Sequence, residues 1–417
     1  MAQTHQWVIG LVLLLMIFYF AMFRYGLWEY WGILHIKPIF LDMYAILSAS
    51  DAHRDGYNVF QENPYDVLER VHIYSRLWLM IGYSGLSRAA NTAVGAVLVF
   101  LFLLTSVIIL KPKTKYEFFV SGMVLFSPAV LLGVERGNND LVIFILLAVA
   151  IYLLSCRRLL FDAVSCSLIF LAGALKFYPF IVFAVFVRHI KTNRNFYLFF
   201  ICTALLWAGY FIATYSDFLI LQKSVIRPYT RQAFGGALLF CWLFLQWPIN
   251  NTVYFIAIFA VLLFSVLISP KFPVSGNTTV GFKDNLFLTG SACLFFCFFT
   301  ITNYDYRCMF FIFTFPYLFE TLRSKKNSSA TNRLIRFFFI LLPLVIWNEL
   351  PLYYVKPLVN RLGWSHLESK IKYTIVLIEH FSTWIVITIL LIFTVNLLKP
   401  FIIDKISSAL VWMKEPE

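Results

Sequence analysis

The chain reads as an all-α polytopic membrane protein, and three observations predict that class. It is 61% hydrophobic and 19% aromatic, with only 13% charged residues. Its mean hydropathy is +0.79. Its apolar residues run in continuous stretches of helix length, as at 7–23 and 375–398. A soluble chain keeps about a quarter of its residues charged, so this one lacks the charged shell that water requires. Only helices or closed barrels satisfy the backbone in hydrocarbon. Barrel strands alternate in short segments, and that pattern is not seen here. The 417 residues are expected to form one membrane domain, 1–417, not several soluble ones.

Apolar length predicts about twelve crossings, with a range of roughly ten to thirteen. They fall near 7–23, 90–110, 117–133, 141–155, 160–174, 178–188, 196–214, 250–269, 286–300, 308–320, 334–348 and 373–398. The first has no Lys or Arg before it and no small-residue cleavage site, which predicts a retained helix and not a signal peptide. A further apolar segment, 234–247, is short and suits an interfacial or re-entrant helix. The pair 160–174 and 178–188 has only about 30 residues in which to go out and return, where two full spans need about 40. Its tip, at Lys176, is therefore expected below the outer surface, where an ammonium needs a partner.

The formal charge of +13 follows from topology. The short basic loops at 111–115, 157–158, 188–194 and 323–333 read as cytoplasmic under the positive-inside rule. Both termini then lie on that side, and 24–89 becomes a long first extracytoplasmic loop. A nucleic-acid partner would need a basic soluble face, and none is visible. The seven cysteines contain no C-x-x-C and have no nearby His partners, so neither a metal site nor a disulfide framework is expected.

The outer segments hold the chemistry-bearing residues. In the first loop, Met43, Ile46 and Leu47 have helical spacing, which predicts a short amphipathic helix from Leu41 to Arg54 lying along the membrane surface, with Asp42 in its first turn. Asp51 and Asp55 read as its solvated face. In the turn 134–140, Gly137 permits the reversal and Asn139 or Asp140 can cap the next helix. Capping leaves Glu135 and Arg136 to form a pair or, with Asn138, to face a substrate. Lys176 and Tyr178 sit at the tip before Pro179, where the Lys either snorkels outward or binds an anion. Lys223, Arg227 and Arg231 occupy the loop 215–233, and Tyr304, Asp305 and Arg307 the turn 301–307. Asp305 and Arg307 could form a salt bridge. Arg next to aromatics suits a phosphate carried on a ring or an isoprenoid chain. No P-loop and no G-x-G-x-x-G is present.

These motifs resemble the GT-C superfamily of membrane glycosyltransferases, and most nearly glycosyltransferase family 87. The carriers are Asp42, Tyr44, Ala49 and Gly56 in the first loop, the turn from Glu135 to Asp140, the tip from Lys176 to Pro179, and the turn from Tyr304 to Arg307. One departure is Tyr74-Ser75, where related proteins often carry Tyr-Pro. The resemblance implies a GT-C-like fold, a polyprenyl-phosphate sugar donor and a lipid or glycan acceptor. It also implies inversion at the sugar, with Asp42 as general base, and a site on the extracytoplasmic face of a bacterial plasma membrane. Lys176, Arg227, Arg231 and Arg307 would hold the phosphate, and Glu135 would assist the base or position sugar hydroxyls. No cofactor and no metal is required, because the donor carries one phosphate that these bases can neutralise. Two other classes compete: a polymerase of lipid-linked glycans, and a transporter or flippase. A transporter commonly shows two matching halves and polar residues near the midplane. This chain shows no repeat, and its polar motifs gather on one side.

Overall fold

The computed structural model describes residues 2–183, 185, 194–224, 232–244, 251–274, 281–300 and 302–412. The chain is all-α. The helices, in order, are α1 (Ala2–Tyr25), α2 (Leu41–Arg54), α3 (Asn91–Leu110), α4 (Lys115–Leu125), α5 (Pro128–Arg136), α6 (Asp140–Ser155), α7 (Leu159–Leu175), α8 (Arg194–Ala213) and α9 (Tyr215–Ser224). They continue with α10 (Ala237–Phe244), α11 (Asn251–Ile268), α12 (Phe282–Thr300), α13 (Phe311–Arg323), α14 (Ser329–Ile346), α15 (Glu349–Arg361) and α16 (Glu368–Trp412). Two short strands, β1 (Ala233–Phe234) and β2 (Asn303–Tyr304), pair antiparallel.

Six stretches among the described residues are long and apolar enough to cross a membrane: 5–25, 88–110, 251–271, 282–300, 329–346 and 365–400. A seventh span forms if α4 and α5, bent by 49° at their junction, are taken together. Helices α6 and α7 and residues 197–213 are apolar but shorter. The protein is therefore a multi-pass integral membrane protein, as the sequence predicts, and among the described residues six or seven of its helices have full spanning length. Other expected crossings correspond to shorter elements. Helix α13 has only 13 residues, nearly all buried. The expected span 178–188 opens as a 3-10 turn over Tyr178–Val182, next to Pro179. The expected short segment at 234–247 is the eight-residue α10. A helix not foreseen, α15, occupies the start of the segment 349–371.

Lipid replaces water as the outer solvent, so packing is what selects helix partners. Lipid-facing flanks stay apolar, as with Met16, Ile17 and Phe20 on α1 and Phe255, Ile256 and Phe259 on α11. The interior is built from Phe. Phe144 stacks on Phe313 with ring centroids 4.3 Å apart, and Phe310, Phe311 and Phe315 are fully buried. Helix α12 packs on α13, and Gly290 allows the close approach: a Cβ there would lie 2.7 Å from the Phe310 carbonyl oxygen.

Helix α2 has the predicted bounds but not the predicted setting. It packs against residues 76–84 and α3, so more of it is enclosed than one apolar face requires. Asp51 is accordingly only 5% exposed, not solvated. It accepts the Arg88 backbone N–H at 3.1 Å and the Arg54 guanidinium at 3.3 Å. Asp55 remains exposed and accepts the Tyr65 hydroxyl at 2.8 Å. The reason is length: the loop after α2 has enough apolar residues, Val59, Trp78 and Leu79 among them, to fold over the helix.

Candidate functional site

Four segments far apart in sequence meet at one end of the bundle: the start of α2, the turn 136–140, the tip 176–178 and the turn 303–307. The first junction is made by backbone. The Phe40 N–H donates to the Glu135 carbonyl at 3.0 Å, so α2 starts on the α5–α6 turn. The turn needs glycine. Gly137 has φ +56, and a Cβ there would lie 2.8 Å from that of Phe40.

Asp42 is half-buried, with its side chain 17% exposed. Its Oδ2 accepts the Asn138 side-chain amide at 2.6 Å, and its Oδ1 faces the Arg70 guanidinium at 3.5 Å. Arg70 is itself fixed. It donates to Asp66 at 2.9 and 3.1 Å and to the Leu41 carbonyl at 2.9 Å. The Asp66 and Leu41 contacts hold the guanidinium beside the start of α2.

Asn138 is the hub. Besides Asp42, it serves the Asp140 backbone N–H through its Oδ1 at 2.9 Å, so it caps α6 in place of Asn139 or Asp140. The same oxygen accepts from Lys176 Nζ at 3.4 Å. Asn139 is fully buried, and among the described residues neither of its side-chain polar atoms has a hydrogen-bond partner.

Lys176 is 10% exposed, and the partner it requires is Asp140, whose Oδ1 lies 2.6 Å away. It neither snorkels outward nor stands as a free cation. Burial pulls its pKa below the ordinary value, against the opposing pull of Asp140. The same carboxylate accepts the Tyr178 hydroxyl at 2.8 Å, while its Oδ2 faces Arg307 Nε at 3.5 Å. Arg307 also donates to Asn303 and lies over the Tyr178 ring at 4.8 Å. The expected Asp305–Arg307 bridge gives way to this Asp140–Arg307 pair.

Aromatic rings wall the cluster. Tyr304 and Tyr306 stack 5.6 Å apart at 12°, and Lys176 faces both Tyr74 and Tyr306 at about 6 Å (5.8 and 5.9 Å). Burial raises the Tyr74 and Tyr306 phenols well above their ordinary values, so both stay protonated donors. Glu135 lies at the edge, between Arg136 at 3.1 Å and His35 at 2.7 Å, and Arg136 reaches the Leu34 carbonyl at 3.3 Å. Glu135 and Arg136 are thus a bonded pair, in contact with the first loop.

Of the residues that the sequence nominates, the structure gathers Asp42, Asn138, Asp140, Lys176, Tyr178, Tyr304 and Arg307, with Glu135 and Arg136 beside them. Arg227 and Arg231 lie outside the described residues. Sequence reasoning missed Arg70, Asp66 and His35, and it met Tyr74 and Tyr306 only as parts of motifs, with no role in the site. Asp66 and Arg70 stand four apart, a spacing that marks an ion pair where the local backbone is helical or turned. Among the described residues, no group of three His, Cys, Asp or Glu side chains could hold a metal.

No family model matches the sequence, and no curated protein matches it. Among solved structures, the apo crystal structure of ArnT from Cupriavidus metallidurans is similar over 90% of this chain and 76% of that one, at 11% identity and a TM-score of 0.37. A likeness at that score carries no argument about fold or function.

Proposed function

We propose that this chain is a GT-C-type membrane glycosyltransferase that moves a hexose-type sugar from a polyprenyl-phosphate donor to a lipid or glycan hydroxyl. The observation that carries the reading is the Asn138 side chain, which links the Asp42 carboxylate to Lys176 through one amide. It joins a partly exposed, oriented carboxylate to a tyrosine-walled cluster that holds two cations. That pairing matches the two demands of the reaction.

Asp42 accepts the proton of the acceptor hydroxyl as its oxygen attacks the anomeric carbon. The bond from that carbon to the phosphate oxygen breaks, and the polyprenyl phosphate leaves with the electron pair. Attack opposite the leaving group inverts the sugar. Lys176 and Arg307, supplemented by Arg227 and Arg231, stabilise the departing phosphate. Glu135, Arg136, Asn139, Tyr178 and Tyr304 line the sugar and acceptor positions. The site faces the extracytoplasmic side of a bacterial plasma membrane, where lipid-linked donors are presented.

The experiment is incubation of the purified protein with radiolabelled polyprenyl-phosphate sugars and membrane lipids. A labelled product that forms with the natural chain and not with Asp42→Asn supports the reading. Transfer from none of the donors overturns it and favours a transporter.

A further inference from the structure

The end of the bundle opposite the site carries a different feature. Helices α4 and α5 run from Lys115 to the Glu135 turn, and α13 runs from the Arg307 turn to Arg323, so Tyr116 and Leu322 mark the far end. There, Tyr116, Leu322 and Arg336 line a cavity of about 310 Å³. Arg336 is the eighth residue of α14, about 10 Å along a helix that otherwise turns Phe337, Ile340 and Leu344 to lipid. Arg336 is exposed beside these lipid-facing side chains, where a guanidinium is costly unless it is paired or reaches back to the interface. Among the described residues, neither the Arg336 guanidinium nor the Tyr116 hydroxyl has a hydrogen-bond or ion-pair partner.

The nearby acids are already engaged. Glu117 takes Arg323 at 3.2 Å and the Lys113 N–H at 2.7 Å, and Glu320 takes Lys283 at 2.8 Å. Segments 111–117 and 320–336 together hold eight basic side chains and only those two carboxylates. Two kinds of donor thus converge on one cavity without an acceptor, in a positive field. The wall beside them is apolar: Leu322 lines the cavity, and Phe339 meets the Tyr116 ring edge to face at 6.0 Å.

We infer that this cavity binds the headgroup phosphate of an anionic phospholipid, with Arg336 and Tyr116 as its donors and its acyl chains along α14. A guanidinium supplies paired N–H groups for phosphate, and the apolar wall favours a lipid over a free anion. The inference is independent of the reaction at the other end.

The test is native mass spectrometry and thermal denaturation of the detergent-solubilised full chain with added phosphatidylglycerol, phosphatidylcholine or inorganic phosphate. Phosphatidylglycerol is expected to remain bound and to raise Tm, whereas phosphatidylcholine and inorganic phosphate leave Tm unchanged. Arg336→Gln lowers retention of phosphatidylglycerol by roughly five-fold, the factor one interfacial charge supplies. Tyr116→Phe lowers it by roughly two- to five-fold without removing charge, as loss of one hydrogen bond does, and keeps the question answerable if Arg336→Gln fails to fold. Lys356→Gln, an exposed residue on α15 beyond the other end of α14, leaves retention within two-fold. Equal retention of the two lipids, or equal shifts with inorganic phosphate, overturns the inference. So does undiminished retention in Tyr116→Phe.

Discussion

The Asn138 side chain donates to Asp42 at 2.6 Å while its Oδ1 caps α6 by accepting the Asp140 N–H at 2.9 Å. One amide therefore ties the first loop to the start of a buried helix. It sets where the carboxylate points and holds that direction without using a charge.

Replacing Asp42 by Asn should reduce sugar transfer by about 10³-fold, within the range that general-base removal costs. Size-exclusion behaviour and Tm should stay near those of the natural chain, because Asn can still accept from Asn138. Undiminished transfer by the variant in the radiolabel assay would remove Asp42 from the mechanism.

Asn138→Ala should both destabilise and impair. It removes a helix cap and leaves the buried Lys176 with one partner fewer, at a cost of about 1–3 kcal/mol. Transfer should fall more than that stability loss explains, which is checked by assaying well below the variant's Tm. A variant as active as the natural chain would show that Asp42 does not need this amide.

Asp140→Ala strands two cations, Lys176 and Arg307, in the interior. Breaking a buried pair in this way costs about 3–5 kcal/mol. The expected outcome is a sharp fall in thermal stability and in the yield of monodisperse protein. A Tm within a degree or two of the natural chain would mean that the pair is not structural.

Gly137→Ala combines a left-handed backbone, costing about 1–2 kcal/mol, with a Cβ pressed to 2.8 Å from that of Phe40. Because Phe40 precedes α2, the displacement passes directly to Asp42. Both Tm and transfer should drop, and unchanged values of both would show that the turn accepts a side chain.

His72 predicts a pH dependence of stability. It is 3% exposed, and burial lowers its pKa from 6.5 to about 4. In the unfolded chain it protonates near pH 6.5, so the unfolded state binds the extra proton between those values. Stability should therefore be unaffected by His72 above pH 6.5 and fall as pH drops from 6.5 towards 4, by roughly 3 kcal/mol at the lower limit. Denaturation scans should show that slope, and His72→Gln should flatten it. A slope unchanged in the variant would place its origin elsewhere.

The class of the fold was legible because lipid imposes a composition. A chain 61% hydrophobic, with apolar runs of spanning length, has no stable alternative to membrane helices. The bounds of α2, Leu41–Arg54, were legible too, since local spacing sets a helix. Its burial was not, because that depends on what the following 30 residues fold against. The same division runs through the site. Asp42, Asn138, Asp140, Lys176, Tyr178, Tyr304 and Arg307 stood out as polar residues at the ends of apolar runs.

What the sequence by itself determined, then, is a multi-pass helical membrane protein and the identity of most polar groups at one end of it. Pairing was decided by tertiary structure alone. Asp140 takes Lys176, Tyr178 and Arg307; Asp42 takes Asn138 and Arg70; and Asp51, readable as solvated, is enclosed. The physical reason is that a buried charge must find a partner in space, and a partner 28 or 167 residues away leaves no periodic mark along the chain.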